Sequence, residues 1–398
     1  MLRTVCLACA ATLSVVAASG ATGSATVEAD PQVDWARSAG THLSGVTGAS
    51  DAAGVVAGSR ATIDDSTWLV RKYSANGTVS WTVRWSPTDA RAAASDVDVH
   101  PDGPIYAVGA VGTLGEYDGG SEWMVRSYRR GGSLRWTVRG GSHCAWTGAT
   151  GVAVQRAGQV FVTGHCDRDG ATKSAWIRKF DPTGQQLWRR WLPTPTGATR
   201  WVGTSDLDLA QKNFPYVIGT VARPTDTPGV FDLDAAVYTY DKDAGPRVKI
   251  LPEGSTEGAD IGVGLDASKG NAVGVVREVG ATQPAMVLRI KGFDKGDLTI
   301  GWRTWLSIDP GAVVIRRVGA LPTSLVGGDG AVVGLSRKGS VQYLLAVDGF
   351  VRALARGSRS DQIWAAGDDG VRGQLWRLLG MDTPQSRDPE APVTRLPD

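Results

Sequence analysis

The chain has 398 residues, with 42 Lys and Arg against 40 Asp and Glu and a net charge of +2. That balance, with both signs interspersed, argues against nucleic acid or an anionic membrane as the main partner. Glycine is frequent, at 52 residues, as expected of a chain with many tight turns.

Residues 1–25 read as an export signal: Arg3, an apolar run from Val5 to Ala18, then small residues around Gly20 and Ala25. The run is shorter than the roughly 20 residues a membrane span needs. The expectation is therefore a secreted protein that leaves Cys6 and Cys9 behind and keeps one pair, Cys144 and Cys166. In an exported chain that pair is read most simply as a disulfide.

From there a short apolar strand closed by glycine recurs, at Gly58, Gly109, Gly164, Gly219, Gly274, Gly334 and Gly367. The intervals are 51, 55, 55, 55, 60 and 33 residues, and a period near 50 marks a propeller-type repeat. The expected fold is an all-β propeller over residues 26–380, with strands A to D in each unit and seven four-stranded blades, or six. Strand A reads ASDVDV (94–99), ATGVAV (149–154), TSDLDL (204–209) and ADIGVG (259–264). Strand B carries the glycine, strand C begins at Trp68, Trp123 or Trp176, and strand D at Trp81, Trp136, Trp188 or Trp302. The last two units look abbreviated. Residues 33–40 (VDWARSAG) read as a strand D without its own blade, which would close the ring on Leu375–Leu379. Residues 381–398, with four prolines, read as a disordered tail.

Links such as HPDG (100–103) and DPTG (181–184) are tight, whereas the B-to-C and D-to-A links are long. In a meander those two long classes emerge on one face, where binding is expected.

GVAVQRAGQVFVTG (151–164) and IRKFDPTGQQLW (177–188) resemble the β-propeller repeat family of secreted bacterial proteins. The resemblance implies the fold and says little about activity. A second, weaker resemblance is to the tryptophan-docking repeats of quinone-dependent dehydrogenases, though their adjacent cysteine pair and metal-binding carboxylates are not evident.

Several side chains are candidates for the site. His143–Cys144 and His165–Cys166 suggest either the disulfide or a Cys2His2 zinc site. Trp146 and Trp201 each lie five residues before a matching strand A position, so both are candidate stacking platforms on the long-loop face. Tyr117, Asp118, Asp167 and Arg223 fall in the same set of links. Asp96, Asp206 and Asp260 occupy one repeated place near the axis, where they would hold calcium or accept backbone N–H bonds. Glu116 and Asp118 offer an acid/base pair for sugar chemistry. No nucleophile elbow, phosphate loop or H-E-x-x-H run is present. The expected function is a monomeric, non-catalytic binding or scaffolding module without a cofactor, docking an extracellular protein or an envelope polysaccharide. The alternative is a polysaccharide-acting lyase or hydrolase.

Overall fold

The computed structural model describes residues 32–379, apart from 39–41, 62–65, 89, 113–120, 142, 168–172, 211–213, 242–244, 252–258, 269–270, 282–283, 292–298, 319–320, 357–361 and 369–372. The expected export signal (1–25) and the expected disordered tail (381–398) lie outside the described residues. All 26 regular elements among the described residues are strands.

The first strand, β1 (Gln32–Ser38), is separated in sequence from its sheet. Five four-stranded meanders follow. Blade one is β2 (His42–Gly48), β3 (Gly54–Ala61), β4 (Ser66–Tyr73) and β5 (Val79–Trp85). Blade two is β6 (Arg91–Val99), β7 (Ile105–Gly112), β8 (Ser121–Tyr128) and β9 (Leu134–Gly140). Blade three is β10 (Trp146–Val154), β11 (Val160–Asp167), β12 (Lys173–Phe180) and β13 (Gln186–Trp191). Blade four is β14 (Arg200–Leu209), β15 (Pro215–Pro224), β16 (Phe231–Asp241) and β17 (Gly245–Ile250). Blade five is β18 (Asp260–Ser268), β19 (Asn271–Glu278), β20 (Ala285–Lys291) and β21 (Thr299–Leu306).

The sixth sheet has six strands: β22 (Pro310–Val318), β23 (Leu321–Leu335), β24 (Val341–Arg356), β25 (Ile363–Asp368), β26 (Gly373–Leu379) and, last, β1. β1 pairs antiparallel with β26 from Gln32↔Leu379 to Ser38↔Gln374, so the N-terminal strand closes the sheet as expected. The first strands pack in succession, β2 on β6, β6 on β10, β10 on β14, β14 on β18 and β18 on β22, and β24 and β25 return to β2. The result is a ring.

Burial follows from position in the blade. Every residue of β11 is buried, because neighbouring blades cover both of its faces. The outermost strands β5, β9 and β13 are partly exposed.

The repeated glycine has a steric cause. Each blade's first strand carries a β-bulge, and in most blades the bulge lies opposite the second-strand glycine. The bulge pushes a carbonyl toward that glycine. A Cβ would sit 2.0 Å from the Ala93 oxygen at Gly109, 2.2 Å from the Gly148 oxygen at Gly164 and 2.3 Å from the Gly203 oxygen at Gly219. Real Cβ atoms never approach that closely, so only glycine fits.

In the unit that follows blade five the residue in this place is Gly328, whose Cβ would lie 2.2 Å from the Asp309 oxygen, and not Gly334, which faces the Tyr343 ring. Gly328 pairs with Pro310 beside the bulge there. The sequence misplaces it because the second strand runs on into the next one through Asp329 and Gly330, without the long link found in other blades.

A second repeated feature joins neighbouring blades. The indole N–H of Trp81 donates to the Arg130 carbonyl (3.0 Å), that of Trp136 to Pro182 (3.0 Å) and that of Trp302 to Arg337 (2.8 Å). Each acceptor lies in the turn between the third and fourth strands of the following unit. The turn glycines Gly132, Gly184 and Gly339 have φ of 90°, 91° and 85°, and they lie directly against those indoles. Left-handed φ and a missing side chain are both needed there.

The turn at 336–339 thus marks a sixth repeat unit, and the second half of β24 with β25, β26 and β1 forms a seventh. These two units share the long strand β24 and merge in one sheet. Counted by sheets the ring has six blades, the alternative that the sequence left beside seven.

The axis is lined by carboxylates acting as latches. Asp96 accepts the backbone N–H of Val97 (2.7 Å) and of Val152 on the next blade (2.9 Å). Asp98 accepts from Val99 (2.7 Å) and Val154 (2.8 Å), and Asp206 from Leu207 (2.7 Å) and Leu265 (2.8 Å). Asp208 accepts from Ala267 at 2.6 Å. Asp260 does not share this position. It opens β18 opposite Glu278, four residues before Gly264, which is the true counterpart of Asp96 and Asp206. Backbone donors therefore occupy the carboxylate oxygens of Asp96 and Asp206.

Burial pushes Asp98 and Asp206 up to about 6, against the opposing pull of their backbone donors. Burial and then the neighbouring charges of Asp206 and Asp266 raise Asp96 and Asp208 respectively. Because folding raises these values, the protonated forms favour the ring, and their contribution is lost as pH rises through about 6. The melting temperature should therefore fall by several degrees between about pH 4.5 and pH 8, followed by circular dichroism. An unchanged melting temperature across that window would contradict the assignment.

Candidate functional site

The strand order puts the start of each first and third strand and the end of each second strand on one face, the face with the longer links. On blade three the register there is Trp146↔Asp167, Thr147↔Cys166 and Gly148↔His165. The start of β10 is fixed from two sides. Ser121 Oγ donates to the Thr147 carbonyl (2.8 Å) and accepts its N–H (2.7 Å), while Thr147 Oγ1 donates to the His165 carbonyl (2.5 Å).

On that rigid base the Trp146 indole is 48% exposed. Its inner face stacks on the His165 imidazole, with ring centroids 4.4 Å apart and planes inclined by 29°. His165 itself is 7% exposed. Among the described residues no group hydrogen-bonds to either ring nitrogen. Burial first, then the positive charge of Lys173, lowers its pKa to about 4, opposed by Asp167. The ring is therefore neutral at physiological pH, with one donor and one acceptor to offer. Gly203 of blade four faces it, where an added Cβ would lie 3.9 Å from Nδ1, so no side chain from that wall covers the imidazole. A buried polar group without a partner costs about 1–3 kcal/mol, which makes its retention informative.

The same face continues onto the next two blades. Val230, in the link between β15 and β16, and Phe231, which opens β16, are 50% and 41% exposed, and Val279 after β19 is 49% exposed. The Arg200 guanidinium lies 5.1 Å from the centre of the Phe231 ring. Arg223 is tied to Asp232 (3.3 Å) and Asp234 (2.5 Å), so it fixes the edge of this link and is not an unpaired cation. Asp167 is buried at the end of β11, between Trp146 and Lys173 in register.

Trp201 is a correction. It is 1% exposed and its indole N–H donates to the Pro193 carbonyl at 3.0 Å, so it presents no ring to a ligand. β14 carries two bulges where β10 carries one, and the extra residue shifts the register by one. A one-residue shift turns a side chain to the opposite side of the strand. The counterpart of Trp146 is Arg200, which pairs with Ala222 as Trp146 pairs with Asp167. Tyr117, Asp118 and Glu116 lie outside the described residues.

Cys144 and Cys166 form the expected disulfide, with Cα atoms 5.5 Å apart. Both cysteines are buried and belong to the core cluster that also holds Trp123 and Trp176. His143 lies beside the sulfurs, but His165 faces the other side of β11, so the four-residue Cys2His2 set is not assembled. His165 is the residue that sequence reasoning left out of the binding set. Its signal was a polar ring directly after the repeat glycine, on a strand covered from both sides.

No family model matches the chain, and no curated protein matches it. Among solved structures it is similar in fold to a chain from the "Crystal Structure of Mitotic Checkpoint Complex", with a TM-score of 0.56 and 12% identity over 91% of this chain and 99% of that one. A chain from the crystal structure of Chaetomium thermophilum Raptor gives a TM-score of 0.49 at 13% identity, covering 86% of this chain and 28% of that one.

Proposed function

We propose that the chain is an exported binding or scaffolding propeller of the repeat type seen in secreted bacterial proteins, docking an extracellular protein on the long-link face of blades three to five. The observation that carries this reading is Trp146, half exposed and held rigid over a buried neutral imidazole. Tryptophan is highly buried on average and enriched at interface hot spots. A rigid ring that loses little entropy on docking suits such an anchor. Val230, Phe231 and Val279 extend the apolar area along consecutive blades. The nearly balanced charge suits a partner held by shape and apolar contact more than by electrostatic steering. The disulfide accords with an oxidising compartment. The similar propeller in the checkpoint structure is itself part of a complex, which favours a protein partner.

The test is capture from the native extracellular protein fraction by the wild-type chain and by Trp146→Ala. The exposed ring contributes little to folding, so the melting temperature should be nearly unchanged. Loss of a hot spot of about 2 kcal/mol corresponds to roughly thirtyfold weaker binding. Equal retention of the same saturable partner by both proteins would overturn the placement of the site.

A further inference from the structure

The disulfide has a neighbour with no part in the docking reading. His143 is exposed at the mouth of the bridge, and one of its ring nitrogens lies within 4.8 Å of both sulfurs. We infer that, once the bridge is reduced, Cys144, Cys166 and His143 form a three-ligand site for a thiophilic divalent cation such as Zn2+, so that disulfide and metal are alternative occupants of one place.

The geometry needs little change. Tetrahedral zinc holds thiolates at about 2.3 Å, which requires the sulfurs to part to about 3.7 Å. Cα atoms 5.5 Å apart allow this by side-chain rotation. Cys166 is fixed within β11, whereas Cys144 precedes β10 in a turn held by its N–H to the Gly141 carbonyl (2.8 Å), so the adjustment falls on the turn. Two thiolates and an imidazole form a donor set suited to zinc, and the exposed side of His143 leaves the fourth position to solvent. The surroundings add to this. Both cysteines are buried within an apolar core cluster, where two bare thiolates would be costly and a dication compensates their charge.

The chemistry balances with an external dithiol. Its two thiols pass two electrons and two protons to the bridge, giving Cys144 and Cys166 thiols and a cyclic disulfide of the reductant. Metal binding then releases the two thiol protons to solvent.

The experiment uses the full chain, reduced with a dithiol that is then removed without air, and titrated with Co2+ and with Zn2+ in competition. The expected result is one ion per chain in the reduced protein, with a thiolate-to-cobalt charge-transfer band, and none in the oxidised protein. The near-ultraviolet circular dichroism of the tryptophans should stay as in the oxidised form. His143→Ala should weaken binding at least tenfold while keeping the thiolate band, and Cys144→Ser should abolish the band. The inference is overturned if reduced wild type binds no more metal than Cys144→Ser, if His143→Ala binds as tightly as wild type, or if the band appears only after the tryptophan signal is lost. None of these outcomes bears on Trp146, so this inference and the docking reading fail separately.

Discussion

Gly164→Ala should prevent stable folding, whereas Gly274→Ala, at the same place in the sequence repeat, should be tolerated. A Cβ at Gly164 would lie 2.2 Å from the Gly148 carbonyl oxygen and 2.5 Å from Cζ2 of Trp176. Neither neighbour can withdraw. Gly148 follows Thr147, which is bonded to both Ser121 and the His165 carbonyl, and Trp176 is 1% exposed within the blade-three core. The loss should be on the order of 4 kcal/mol or more, as for other severe core overpacking. At Gly274 the nearest atoms are the flexible tips of Ile218, Ile290 and Leu288, at 3.4, 3.6 and 3.7 Å. There the bulge in β18 stands opposite Val275 and Val276, so the carbonyl that excludes a side chain in blade three is not aimed at the glycine. The change should stay within about 1 kcal/mol. Thermal unfolding of the two soluble variants beside wild type checks the pair, and similar melting temperatures for both would defeat the bulge argument.

That contrast shows what the sequence displays and what it hides. The glycine period and the tryptophans of the outer strands are visible because each answers a steric demand repeated in several blades, the bulge carbonyl in one case and the turn beneath an indole in the other. A single inserted bulge residue leaves no such trace. It turned Trp201 inward while its five-residue spacing still matched Trp146. In the C-terminal sheet, Gly327, Gly328, Gly330 and Gly334 crowd into eight residues once the long link is absent, and spacing alone selects the wrong one. The docking site was half legible for a related reason. Trp146 stands out as an aromatic in a link, but the unpaired imidazole beneath it depends on Gly203 of another blade, 38 positions away in sequence.

Removing the Cys144–Cys166 bridge should destabilise the chain by about 3 kcal/mol, the loop-closure value for a span of this length. The bridge closes a 22-residue separation that includes all of β10 and most of β11, two of the four strands of blade three. Its effect is therefore concentrated on the register that sets Trp146 over His165. A Cys144→Ala/Cys166→Ala double variant isolates that contribution, because neither a free thiol nor a metal can then occupy the place. The cost should exceed the entropic term slightly, since two buried sulfurs within the core cluster are replaced by smaller methyl groups. The melting temperature of the oxidised wild type should drop on adding a dithiol in metal-free buffer, and the double variant should melt at a low temperature that the dithiol leaves unchanged. A dithiol response in the variant equal to that of wild type would mean that the bridge is not the element being measured. The same reduced wild type, given Zn2+, should recover part of the lost melting temperature, whereas the double variant should recover none.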